Sequence, residues 1–153
     1  DHDTGLAVVS AGVPADSIWE PQPHAASPQL VGRAYRLLGR TGVLAGLEEL
    51  APRPATREEV ERVHTAAHVD HVRSVSLAGG GDAGDFAPAG PVSYDVALLA
   101  VGGALVAVDV VMAGRVRNVY ALLRPPGHHA EPDKAMGFCL FNNVAIAARY
   151  AQD

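Results

Sequence analysis

The chain has 153 residues, 48% of them hydrophobic and 19% charged, which is the composition of a globular domain and excludes a disordered tail. A net charge of -5 speaks against a protein that binds nucleic-acid backbone through clustered Lys and Arg, and suits a cationic ligand better. The longest apolar stretch, 96–111, is broken by Gly102, Gly103 and Asp109 and falls short of the roughly 18 residues of a membrane span.

In chain order, a weak strand-like run at 6–10 comes first. Ser27 followed by Pro28 has the form of an N-cap and a first helical residue, and Leu30, Ala34, Leu37 and Leu38 keep helical spacing to Gly39. Thr56-Arg57-Glu58-Glu59 has the capping-box form and predicts a short helix through Val63. Thr65 predicts a second cap, with Val69, Val72 and Val75 on one helical face. Residues 79–90 hold five glycines, Asp82, Asp85 and Pro88, which predicts a loop without strands. Ser93 is expected to cap a long apolar helix ending at Gly114. The run "VYALL", 119–123, reads as a parallel strand covered on both faces. Asn142 or Asn143 then caps a helix that is still running at Asp153. No internal repeat or linker divides the chain, so residues 1–153 read as part of a single domain.

The segment "RPPGHHAEPDKAMGFCLFNN", 124–143, therefore lies at the carboxyl end of a predicted strand and before a helix, where open α/β sheets build ligand sites. Pro125 and Pro126 stiffen the backbone ahead of the histidines, and Gly127 permits a turn. In extended chain His128 and His129 would point to opposite faces, so only a bend brings both rings into one pocket. Adjacent imidazoles couple their titrations, which helps keep one neutral as a base. A bare His-His pair in a polar turn is usually just solvated; Pro-Pro-Gly before it and "MGFCLF" after it favour proton-transfer chemistry.

This signature resembles that of the histone deacetylase family, in particular its class II members and the bacterial histone-deacetylase-like amidohydrolases. "VHTAAHVDHV", "GGGDAGD", the "GGA" of the long helix and "AGRVRNVYALLRPPGHHA" extend the likeness along nearly the whole chain; the last is the most specific. The resemblance implies an α/β, arginase-deacetylase fold: a parallel sheet with helices on both faces and a zinc site at the strands' carboxyl ends. It implies a hydrolase that removes acetyl or acyl groups from lysine side chains, with an acetylated lysine peptide or protein as substrate. His129 would be the general base and then the acid toward the leaving amine, with His128 its electrostatic partner, although the sequence does not order these two roles. Gly137 would accept the substrate amide N–H on its carbonyl, Phe138 would wall the acyl-lysine channel, and Asp85 would grip the substrate backbone at the rim. Phe138 also reads as an ordinary core residue entering the next helix.

The Asp-x-His pair and later Asp that hold Zn2+ in this family, and the tyrosine that stabilises the oxyanion, fall beyond Asp153. Residues 1–153 are thus expected to be the N-terminal part of a catalytic domain, truncated at both ends, with no metal ligand of their own and no activity alone. "PHAASPQ" departs from a His-Pro-Glu type stretch common in relatives. An acetylpolyamine amidohydrolase is the alternative enzyme, and an acyl-lysine binding module the alternative outside enzymology. Neither nucleic acid nor membrane is expected as a partner.

Other residues have plainer readings. His64, His68 and His71 would form a metal-ligand stripe on one uninterrupted helix, but Thr65 as a cap breaks it. Asp82 reads as a turn aspartate. The lone Cys139 could act as a nucleophile with His129 as base, a thiol hydrolase, yet between Phe138 and Leu140 it reads as a small buried hydrophobe. A single cysteine suits a reducing, cytoplasmic setting. The single lysine, Lys134, beside abundant Ala, Val, Arg and Gly fits a GC-rich bacterial gene. Gly102 and Gly103 are expected where the long helix packs closely on a sheet. Asp1-His2-Asp3 reads as a solvated chain end whose Thr4-Gly5 continuation resembles the family's first active-site loop.

Overall fold

The computed structural model describes residues 26–153, so the run at 6–10 and Asp1-His2-Asp3 lie outside the described residues. Helix α1, Pro28–Arg40, opens on Ser27, whose side chain accepts from Gln29 N. A 3-10 turn, Val43–Gly46, follows. Helix α2, Arg57–Glu61, carries the full capping box, with Thr56 and Glu59 each accepting from the other's backbone N–H. Arg53 clamps Glu59 with two hydrogen bonds, at 2.8 and 2.6 Å, and so ties this cap to the preceding loop. Helix α3, Ala66–Leu77, is capped by Thr65, which accepts from His68 N.

Residues 79–90 are not strand-free, as the sequence suggested. They contain β1, Gly81–Asp82, β2, Gly84–Asp85, and β3, Pro88–Ala89, of which β1 and β3 pair antiparallel. Glycine-rich chain can form such pairs where a backbone approaches too closely for any side chain: a Cβ on Gly84 would lie 2.0 Å from Ala135 O. That neighbour belongs to β4, Ala135–Met136, which runs parallel to β2 with Asp85 opposite Met136.

Helix α4, Ser93–Met112, ends two residues before Gly114 and is not capped by the Ser93 side chain. Ser93 Oγ instead accepts from Gly90 N at 2.7 Å. Ser76, at the end of α3, accepts from Tyr94 N at 3.2 Å and serves the start of α4 from across the fold. Gly102 packs on a loop and not on a sheet: a Cβ there would sit 1.7 Å from Arg53 O, beside the Ala55 N to Leu98 O bond of 2.9 Å. A Cβ on Gly103 would meet the Leu123 side chain at 2.8 Å.

The strand expected over 119–123 does not form. A strand exists only through its ladder, and no described strand pairs with this run; Tyr120 is 75% exposed. Helix α5, Asn143–Tyr150, starts at the expected cap, Asn142 Oδ1 accepting from Ala145 N, and closes at Tyr150 short of Asp153. Its Tyr150 hydroxyl donates to Asp109 of α4 at 2.9 Å.

Alanines fill much of the core, and one large ring organises it. Phe141 is fully buried against the rings of His64, His68 and Tyr94, with centroids 5.5, 5.7 and 6.1 Å away. It joins α3, α4 and the loop that leads into α5. Truncating a buried Phe of this kind costs about 3–5 kcal/mol.

Candidate active site

The histidine loop is shaped by glycine and by two asparagines. The Arg124–Pro125 peptide is cis. A Cβ on Gly127 would stand 2.4 Å from Asn143 N and 2.6 Å from Phe141 O, so only glycine lets this turn press against the start of α5. Ala130 N closes the turn on Gly127 O at 3.1 Å. Asn142 Nδ2 donates to Ala130 O and Asn143 Nδ2 to Pro125 O, at 3.0 and 3.1 Å, pinning both sides of the bend. The bend defeats the alternation of extended chain: the rings of His128 and His129 lie 4.2 Å apart, centroid to centroid, tilted by 53°. Both are exposed.

The other expected site residues gather around them. Gly137 has φ +55, and a Cβ on it would be 2.8 Å from His129 Cδ2, so its bare backbone is the floor under that ring. From Gly137 the chain is zipped to the glycine loop: Gly137 N donates to Asp85 O at 2.9 Å and Phe138 N to Phe86 O at 2.8 Å. Phe138 and Phe86 take φ values of +68 and +52, which aromatic side chains ordinarily resist. Phe86 is 76% exposed and Phe138 half-buried. The backbone thus brings Asp85, Gly137, Phe138 and His129 together, with His128 beside them. Asp82 stands apart as a turn aspartate, its Oδ1 accepting from Gly84 N and Ala87 N at 3.1 and 2.9 Å.

Lys134 holds the Asp85 carboxylate at 3.1 Å, a partner that sequence spacing does not reveal because 49 residues separate them. The second group missed is His64 with His68. Their rings are 4.9 Å apart and only 3% and 2% exposed. His64 Nε2 accepts from Asn142 N at 2.8 Å, which leaves Nδ1 to donate to Pro132 O at 3.3 Å. His68 Nε2 reaches Leu140 O at 2.9 Å. Burial, and next the neighbouring His68, push the His64 pKa down to about 4, so this ring is neutral. Burial lowers that of His68 as well. The pair props the histidine loop from behind, and its nitrogens serve that loop's backbone. The Thr65 cap foretold that His64 leaves the helix; nothing local foretold its partners.

Among the described residues no three His, Cys, Asp or Glu side chains converge as a metal site, and His71 is exposed while His64 and His68 are buried. Cys139 is buried, its Sγ against Gly137 O at 3.4 Å, and burial raises its pKa, the reverse of what an activated thiol needs.

The family profile described as histone deacetylase domain matches residues 24–153. The chain belongs to the histone deacetylase family. It is 46% identical over 129 residues to a histone deacetylase-like amidohydrolase of Pseudomonas aeruginosa, covering 84% of this chain and 34% of that one. It is 37% identical over 145 residues to the human polyamine deacetylase HDAC10, with 88% and 21% covered. The crystal structure of an HDA15 HD domain superposes with a TM-score of 0.82 at 37% identity, over 90% of this chain and 39% of that one. The deacetylase fold expected from the sequence is thus shared with a solved structure, and the chain spans about a third of the length of its first relative. Helix α4 is long and apolar enough by length and composition to cross a membrane, contrary to the reading of 96–111, because Gly102 and Gly103 do not interrupt it. It lies inside the stretch matched by the deacetylase profile.

Proposed function

We propose that the protein carrying this chain is a zinc-dependent amidohydrolase that removes acyl groups from lysine side chains. One observation carries the reading: a bent pair of imidazoles whose second ring rests on Gly137, which is itself bonded to Asp85 at 2.9 Å. Proton transfer needs an imidazole held in one place beside a substrate, and the Gly137 floor supplies that restraint. In this reading His129 takes a proton from the attacking water and returns it to the departing amine, and His128 tunes its charge. The Gly137 carbonyl accepts the substrate amide N–H, Phe138 flanks the acyl-lysine stem, and Asp85 accepts a backbone N–H at the rim. Zinc, which polarises a carbonyl and acidifies bound water, would be held by residues outside 26–153. Bacterial origin and a cytoplasmic location belong to the same proposal.

Acetylpolyamines are the second reading, favoured by the carboxylate at the rim and by the 37% identity to a protein named a polyamine deacetylase. The test uses the full-length protein. His128→Ala and His129→Ala should each reduce hydrolysis of an acetyl-lysine peptide by at least about a hundredfold, the scale of a lost general acid or base. If hydrolysis survives both substitutions, the proposed proton transfer is overturned. Binding of the peptide without turnover by the wild-type protein would favour an acyl-lysine binding module.

A further inference from the structure

The sequence contains one lysine, and its ammonium sits on the carboxylate assigned to the substrate rim. Lys134 Nζ lies 3.1 Å from Asp85 Oδ2. The backbone sets this meeting. Lys134 immediately precedes β4, whose Ala135 and Met136 stand opposite Gly84 and Asp85. On its other side, Lys134 exchanges backbone hydrogen bonds with Glu131, at 2.9 and 3.4 Å. Residues 1–25 contain neither lysine nor arginine, so they offer no Lys or Arg side chain to compete for Asp85.

The pair divides the carboxylate. Oδ2 faces the ammonium, while Oδ1 accepts no hydrogen bond from any described residue. A neutral peptide N–H can bond to Oδ1 with Lys134 in place. A substrate ammonium drawn to the same carboxylate instead brings a second cation within about 5 Å of Nζ, where repulsion in water is worth roughly a fourfold change in affinity. We propose that Lys134 is a specificity residue, biasing this rim toward substrates that present neutral backbone N–H groups and against polycations such as acetylated polyamines. The inference rests on the amidohydrolase reading above and decides between its two substrate classes. Glu131 and Asp133, exposed on the same turn, add a negative background common to wild type and variant.

The experiment measures kcat/KM of the full-length protein for N-acetylspermidine and for an uncharged acetyl-lysine peptide, in wild type, Lys134→Gln and Lys134→Arg. At low ionic strength Lys134→Gln should raise the polyamine-to-peptide ratio by about two- to fivefold, the range of an exposed charge pair. The gain should shrink in high salt, and Lys134→Arg should keep the wild-type ratio. An unchanged ratio in Lys134→Gln overturns the proposal, as does a parallel loss on both substrates or an equal shift in Lys134→Arg. A wild-type protein that hydrolyses neither substrate overturns the amidohydrolase reading itself, and this proposal with it.

Discussion

Gly137 answers two demands with one missing side chain. Its φ of +55 is left-handed, and the His129 ring occupies the place of its Cβ. Gly137→Ala should therefore cost about 1–2 kcal/mol of backbone strain and also displace the His129 ring, the proposed base, for which a shift of about 1 Å can lower turnover a hundredfold. Gly79→Ala separates the two effects: φ is +97 there, but nothing lies within 4 Å of the added carbon. Denaturation midpoints and kcat should show comparable destabilisation in both variants and a large activity loss only in Gly137→Ala. Equal activity in the two would detach Gly137 from the site.

Helices α2 and α3 act on the histidine loop through His64 and His68. With its folded pKa near 4, against about 6.5 for an unfolded histidine, His64 binds a proton more readily in the unfolded chain. Its contribution to stability is complete above about pH 6.5 and is lost as pH falls toward 4, with a slope of at most about 1.4 kcal/mol per pH unit. Protonation would also set an N–H against Asn142 N–H, which donates to Nε2 at 2.8 Å. His64→Gln offers an acceptor that does not titrate. Urea midpoints followed from pH 7 to 4 should fall less steeply in this variant than in wild type; parallel curves would mean that His64 is not the group responsible.

The question raised by the whole molecule is what α4 does with its apolar surface. The N-terminal part buries Val96, Ala97, Ala100, Val101 and Leu105, while Val111 and Met112 are exposed. Two features oppose insertion into lipid: Gly102 is pressed against the Arg53 backbone, and Asp109 accepts from Tyr150 of α5. The full-length protein should stay in the aqueous fraction when floated with neutral phospholipid vesicles. Recovery with the vesicles, abolished by Val108→Lys, would make α4 a membrane segment.

Sequence was most legible where the deciding bonds are short in chain distance. Ser27, Thr56, Thr65 and Asn142 cap their helices as read, since each cap joins residues two or three apart. The site residues could be named because the Pro-Pro-Gly-His-His motif carries a family resemblance, and the bend that pairs the two rings follows from its glycine. Tertiary structure decided the rest. Ser93 has the composition of a cap, but Ser76, 17 residues earlier, bonds to Tyr94 N. Residues 119–123 have the composition of a strand, but composition cannot supply a neighbour. His64 and His68 become props only because Pro132, Leu140 and Asn142 return to them, and Lys134 meets Asp85 only through the register of β2 on β4. A backbone hydrogen bond between distant segments depends on where both arrive in space, and neither segment's side chains record that.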